Sequence, residues 1–238
     1  MKKLKEVPAK KAAKKSISVH SVLQNTYKTI PLDDEWVPFI GLPSENFRMI
    51  VYGESGSGKT SFVMRLCVAL AELGKVYYNS IEEGEGKSIQ DSLKRANVAQ
   101  CVKGSFMLGD RDSFEDVVEK LSQKRSAPFC VLDSLQYMEL TEAQVKQLVA
   151  TFPRKAFIII SWSSGPTPKG KIAKAVEYMA DIKTYVHNGT AISRSRFGAT
   201  LPFEVYPPRE TEVKPKGRPA KARVEQPELE LQTAGDED

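Results

Sequence analysis

Residues Val51 to Leu66 read VYGESGSGKTSFVMRL: an apolar strand end enters a glycine-rich loop that closes on lysine and threonine and continues into apolar residues at helical spacing. Gly53-Glu54-Ser55-Gly56-Ser57-Gly58-Lys59-Thr60 satisfies GxxxxGK[ST], with the strand before and helix after that give the pattern its meaning. Glycines in such a loop let backbone N–H groups close around phosphate oxygens, and the helix N-terminus adds partial positive charge. The stretch therefore assigns Gly53, Glu54, Ser55, Gly56, Ser57, Gly58, Lys59, Thr60 and Ser61 to nucleotide binding. Lys59 is expected on the β and γ phosphates and the Thr60 hydroxyl on Mg²⁺, which makes ATP and Mg²⁺ the expected cofactors.

Outward from this stretch, apolar runs alternate with helical patterns. RMIVY reads as a buried strand feeding the loop; Phe62, Val63, Leu66, Cys67 and Leu70 mark the following helix, and Gly74 its stop. KVYYNS is a second strand. Ile89, Leu93 and Ala96 mark a helix, and Phe114, Val117, Val118 and Leu121 another, with Asp112 and Glu115 placed as its capping box. FCVLD and AFIIIS are further strands, separated by a helix opening at Thr141 with Gln144 three residues on. Apolar runs without polar alternation suit a parallel sheet covered on both faces. KIAKAVEYMADI reads as a helix, after which Asn188-Gly189 between two β-rich runs calls for a two-residue hairpin turn. The fold class is α/β: a mainly parallel central sheet flanked by helices, with antiparallel strands at the C-terminal end.

The 238 residues, 41% of them hydrophobic, suit one domain with tails. Residues 1–28 are expected to be a basic, disordered tail, 29–208 the folded domain, and 209–238 a basic and then acidic tail. Three cysteines without CxxC spacing suggest neither a disulfide framework nor a zinc site, and a reducing, cytoplasmic setting fits them. MKKLKEVPAKKAAKKS has the charge of a signal-peptide start but no apolar stretch behind it, and no run of eighteen apolar residues follows anywhere, so no membrane partner is expected. The net charge of +5 is concentrated in lysines near the start and in Lys214, Lys216, Arg218, Lys221 and Arg223.

A phosphate loop needs a metal-directed carboxylate at the end of a neighbouring strand. Asp133 closes FCVLD after four apolar residues and fits that place beside Thr60. Hydrolysis also needs a group that orients or deprotonates water. Glu82 and Glu83 follow the strand after the loop's helix, where adjacent acids can equally be plain solvated charge.

Four stretches taken in order carry a family resemblance over about residues 46 to 206. They are the phosphate loop; VYYNSIEEGEGKSIQDSLKRANV with its Arg95-Ala96 pair; VLDSLQ; and AKAVEYMADIKTYV followed by ISRSRFGAT. Together they resemble the RecA-like P-loop ATPase superfamily, in particular the bacterial RadA branch, with DnaB-type helicases and KaiC as cousins. The resemblance implies that Glu82 activates water, with Glu83 as its neighbour. It also implies that Arg194 and Arg196 act as fingers reaching the nucleotide of the adjacent subunit, so that a homo-oligomeric ring or filament hydrolyses ATP. This chain has Arg194-Ser195 where the family motif has Lys-Asn, and at the end of AFIIIS it has Ser161, Trp162, Ser163 and Ser164 in place of a polar sensor. Trp162 is expected in the core, with Ser161 or Ser163 in a weaker sensing role.

DNA is the partner that the resemblance implies. SSGPTPKGKIAK, Ser163 to Lys174, lies where RecA-like relatives place a mobile DNA-contacting loop, and Lys169, Lys171 and Lys174 suit phosphates, as they would an ordinary surface loop. KPKGRPAKAR resembles an AT-hook around Gly217-Arg218-Pro219, with Lys216 and Arg218 as the groove contacts, although a basic linker has the same composition. The expected activity is a DNA-stimulated ATP hydrolase working in recombination, repair or replication. A nucleotide-dependent DNA-binding or loader protein with negligible turnover, and a small-molecule P-loop kinase, are the alternatives.

Overall fold

The computed structural model describes residues 16–198 and 201–206. A first short helix, α1 (Val19–Gln24), buries none of its residues, and α2 (Val37–Ile40) buries Phe39 and Ile40. The loop region lies between β1 (Arg48–Gly53) and α3 (Lys59–Leu73), and Gly74 caps the helix as its sequence position suggests. Then come β2 (Val76–Ser80), α4 (Lys87–Arg95), β3 (Phe106–Asp110), α5 (Phe114–Ser122), β4 (Phe129–Asp133), α6 (Glu142–Thr151) and β5 (Ala156–Ser164). The described part closes with β6 (Thr167–Pro168), α7 (Lys171–Met179), β7 (Ile182–His187), β8 (Thr190–Ser195) and β9 (Phe203–Glu204).

Among the described residues these strands form one nine-stranded sheet in the order β3-β2-β4-β5-β1-β7-β8-β9, with β6 attached to β5. Pairing is parallel from β3 across to β7, and antiparallel between β7 and β8 and between β8 and β9. The expected architecture, parallel first and antiparallel at the C-terminal end, is the observed one. Asn188 and Gly189 both have positive φ, +48° and +77°, as the two-residue turn between β7 and β8 requires.

Uninterrupted apolar strands are explained by two cores, one on each face. Successive residues alternate between them: Met49 and Val51 face one, Ile50 and Tyr52 the other; Val131 faces the first, Cys130 and Leu132 the second. The first core is covered by α2, α3 and α4, the second by α5, α6 and α7. An edge strand, β3, escapes sequence pattern because FMLGD alternates in exposure and buries only Gly109. The capping box of α5 falls one residue later than the Asp112/Glu115 expectation: Ser113 Oγ accepts from the Asp116 N–H, and the Asp116 carboxylate accepts from Ser113. Asp112 is engaged elsewhere, holding the Tyr77 hydroxyl and the Lys120 ammonium. The box at Thr141 and Gln144 forms as expected.

One aromatic group ties the strand after the hairpin back to the helix after the loop. Phe203 of β9 stacks on Trp36 at 4.5 Å and meets Phe62 of α3 edge-on at 5.6 Å, while the Arg65 guanidinium lies over its ring at 4.5 Å. Arg65 also donates to the Glu204 carbonyl and pairs with Glu35. Removing a ring from so filled a site leaves a cavity. Phe203→Ala is expected to lower the unfolding free energy by about 3–5 kcal/mol, read from urea denaturation.

Candidate functional site

The C-terminal ends of the parallel strands gather the candidate residues. Ser80 of β2 pairs with Asp133 of β4, and Gly53 of β1 pairs with Trp162 of β5, so the ends of four strands align along one edge of the sheet. Open α/β sheets bind ligands along this edge.

The loop between β1 and α3 uses its glycines for steric reasons. Gly56 and Gly58 have φ of +74° and +104°, which other residues adopt with strain. A Cβ on Gly53 would lie 2.3 Å from the Val186 carbonyl oxygen and 2.5 Å from Ser57 Oγ. The β7–β8 turn braces the loop from outside, its Gly189 N–H donating to the Ser57 carbonyl at 3.1 Å. Lys59 folds back to donate to the Glu54 carbonyl at 2.8 Å.

A cavity of about 250 Å³ opens before the loop, with Lys59, Thr60, Glu82, Glu83 and Asp133 in its wall. Asp133 is only 5% exposed, and the Tyr78 hydroxyl donates to its Oδ2. Its backbone carbonyl accepts from the N–H groups of Ile81 and Glu82 at 2.8 and 3.2 Å, which fixes the turn carrying Glu82 to the end of β4. Burial lifts the Asp133 carboxyl to about 6; the Tyr78 hydrogen bond and Lys59 oppose the shift, while Glu82 and Glu83 reinforce it. Glu82 is exposed, yet partial desolvation raises its carboxyl, with Lys59 opposing and Glu83 adding to the effect. Lys59 is lowered by burial, against the pull of Asp133 and Glu82.

The donor set fits a phosphate-bound magnesium ion. Ser57 Oγ, Ser134 Oγ and Glu83 Oε2 are buried without a hydrogen-bond partner in this region, which a polar ligand would satisfy. Among the described residues no three carboxylate, histidine or cysteine side chains gather to hold a metal alone. Thr60 and Asp133 can supply two oxygen ligands to an ion that keeps waters and takes its remaining ligands from phosphates, as Mg²⁺ does.

Other expectations separate from this cavity. Arg194 pairs across the sheet with Lys183, and Arg196 bonds Asp181 Oδ1 at 3.1 Å; Asp181 Oδ2 accepts the N–H of Arg48, at the start of β1. Arg196 thus sits level with the start of β1, about 16 Å of strand from the end that carries the loop, whereas Arg194, level with Ile50 and near Tyr52, is about 10 Å of strand from that end; neither lines the cavity. Lys169, Lys171 and Lys174 are exposed, but Ser163 to Lys174 is no open loop: Ser163 and Ser164 pair with Pro168 and Thr167 in a hairpin that leads into α7. Lys216 and Arg218 lie outside the described residues.

Trp162 is not a core residue. It is 38% exposed, lines the cavity and meets Tyr137 edge-on at 5.5 Å, because β5 there runs beyond its pairing with β4, which ends at Ile159, and is flanked on β1 only by Gly53. Ser161 is buried and accepts from Gln136 Nε2 at 2.8 Å, and Gln136 Oε1 accepts the Trp162 N–H. Residues not anticipated at the site include Tyr78, Arg95 and Tyr206. Tyr78 could have been found from register, since it lies two residues before Ser80 and so shares the face of Asp133. Arg95 lines the cavity and donates to Ser92 Oγ. Tyr206, brought over by β9, shares a hydrogen bond with Ser61 Oγ at 2.7 Å, a contact without sequence signal.

No protein-family model and no curated protein matches the chain. Among solved structures it is similar to one described as an ATPase domain, with a TM-score of 0.49 and 14% sequence identity over 66% of this chain and 79% of that one.

The Asp133 environment makes stability depend on pH. Its folded carboxyl, at about 6, lies above the ordinary 3.8, so folding favours the protonated form. The associated stability is complete below about pH 4 and is lost as pH rises through 6. In magnesium-free buffer the stability of wild type is expected to fall relative to Asp133→Asn by roughly 3 kcal/mol over that window, at 1.36 kcal/mol per unit. Urea midpoints measured for both proteins across the range check this.

Proposed function

We propose that the chain is a RecA-like ATPase, working on DNA in recombination, repair or replication, that hydrolyses ATP at sites shared between subunits of a homo-oligomer. The observation that carries this reading is the convergence of Lys59, Thr60, Glu82 and Asp133 on one cavity at the C-terminal edge of the sheet. Lys59 and the loop N–H groups hold the β and γ phosphates. Bound with the nucleotide at Thr60 and Asp133, Mg²⁺ would neutralise charge on the phosphoryl oxygens. Glu82 receives the proton of the attacking water; its carboxyl, raised by partial desolvation, moves toward the range in which a general base works well. Holding Glu82 through the Asp133 carbonyl keeps base and metal ligand in register.

Neither arginine lines this cavity, and the place of Arg196 level with the far end of β1 supports the use of the pair in trans. Both are exposed on the antiparallel end of the sheet, where a neighbouring subunit's nucleotide could be met. Lys169, Lys171 and Lys174 supply the cationic surface toward DNA.

Lys59→Ala is expected to abolish phosphate release from ATP, and Glu82→Gln to reduce it by about 10²- to 10⁴-fold with nucleotide binding retained. Wild-type hydrolysis should rise on adding DNA; a rate indifferent to DNA in every assembly state would sink the DNA-dependent reading. Mixing inactive Arg196→Ala with inactive Glu82→Gln protein should restore part of the activity, since some interfaces then combine an intact base with an intact finger. Mixed oligomers that form without any rescue would argue against trans catalysis.

A further inference from the structure

Beside the phosphate cavity lies a second one, of about 340 Å³, that shares Ser55, Lys59, Glu82 and Trp162 with it and is otherwise walled by Gly53 and Glu54 of the loop and by Tyr137, Ser163 and Lys169. Tyr137 is 48% exposed and Trp162 38%, and the two rings brace each other edge-on. Large aromatics left open at a site are unusual unless something covers them. This pair is also held firmly. Gln136 accepts the Trp162 N–H, the Trp162 carbonyl accepts the Lys169 N–H at 2.9 Å, and β6 closes the hairpin behind. Ser163 Oγ, in the same wall, is buried and without a partner.

The surrounding charge selects the occupant. Lys169 Nζ stands 5.9 Å from the centre of the Trp162 ring, and Lys171 and Lys174 follow one turn apart at the start of α7. None of the three makes an ion pair among the described residues. A flat, rigid aromatic surface with a row of free cations beside it matches a chain of phosphates carrying unpaired bases: every base offers a face to stack on, and each phosphate a charge to meet. A duplex keeps its bases stacked on one another and presents no such face.

We infer that Trp162, braced by Tyr137 and flanked by Lys169, is a stacking platform for an unpaired base of single-stranded DNA, set against the wall of the phosphate cavity. The inference rests on the DNA-binding reading above and adds to it the strand form and the residues that recognise it. Because Trp162 lines both cavities, a base on the platform lies next to the residues that handle the phosphates.

The two tryptophans make the test direct, for Trp36 is 2% exposed and Trp162 open. In full-length Trp36→Phe protein, short oligothymidylate is expected to quench tryptophan emission along the same isotherm as the anisotropy of a labelled copy of that strand. If Trp36→Phe does not fold, the difference in quenching between wild type and Trp162→Phe reports the same quantity. Trp162→Ala should weaken binding by about five- to 150-fold with the salt slope unchanged. Lys169→Ala should instead lower the salt slope by about one. Three results overturn the platform alone: strand binding with unchanged emission and undiminished Trp162→Ala affinity, equal quenching by duplex, or the whole quench produced by ATP without DNA. Absence of any DNA binding by anisotropy overturns the DNA reading and the platform with it.

Discussion

At Gly53 the backbone of β1 passes so close to the Val186 carbonyl near the end of β7 that no side chain fits, and the organisation of the site follows from that approach. The turn can donate to the Ser57 carbonyl only because nothing separates it from the loop. The same crowding sets β7 beside β1 to the end of the strand, so the antiparallel part of the sheet stiffens the phosphate loop instead of merely extending the edge. Phe203 closes the arrangement from the far side, joining β9 to α3 and bringing Tyr206 onto Ser61. The loop is thereby held between its own strand and helix and a hairpin from more than a hundred residues downstream in sequence. A loop of glycines, which would otherwise lose much conformational freedom on closing around a ligand such as the phosphates proposed for it, is already shaped by these contacts.

A second constraint is the buried carboxylate of Asp133. The two-sided apolar packing that makes β4 a central strand also strips water from its last residue, and a charge there is unfavourable without partners. Tyr78 supplies one partner from the next strand. On the proposed reading, the remaining deficit would favour a divalent cation at a position that is unfavourable for the charged carboxylate alone. Stability has been traded for readiness at this point, a common arrangement where function and packing meet.

Legibility from sequence followed the range of the interactions. GESGSGKT declares itself because its glycines answer local steric demands, whereas Asp133 stands out only in company: acids commonly end strands as caps or turns, and it is the glycine loop upstream that singles this one out. The hairpin at Asn188-Gly189 and the cap at Thr141 and Gln144 are local in the same way, set by φ and by hydrogen bonds three residues apart. Apolar character does not decide burial at Trp162: the pairing of β5 with β4 stops at Ile159, while its pairing with β1 runs on to Trp162 opposite the side-chain-free Gly53, which only the register reveals. β3 carries no sequence signal because an edge strand with alternating exposure looks like a loop, and the α5 cap differs from expectation by one residue because Asp112 and Ser113 both suit a cap until Tyr77 and Lys120 claim the first. Tyr206 could not be read at all, since its contact spans 145 residues.

Asp181 shows how a basic residue can be stored without being committed. Its carboxylate is also held by the N–H of Arg48 at 3.0 Å and by the Arg48 guanidinium at 3.4 Å, so the departure of Arg196 would leave no orphaned charge behind. The Arg196 side chain, 66% exposed, is bound by a contact of the kind that contributes only about 0–1 kcal/mol. Nothing in the core relies on it. The guanidinium is therefore a movable part resting in a socket that remains intact when empty, and its allegiance can change without the fold having to change with it.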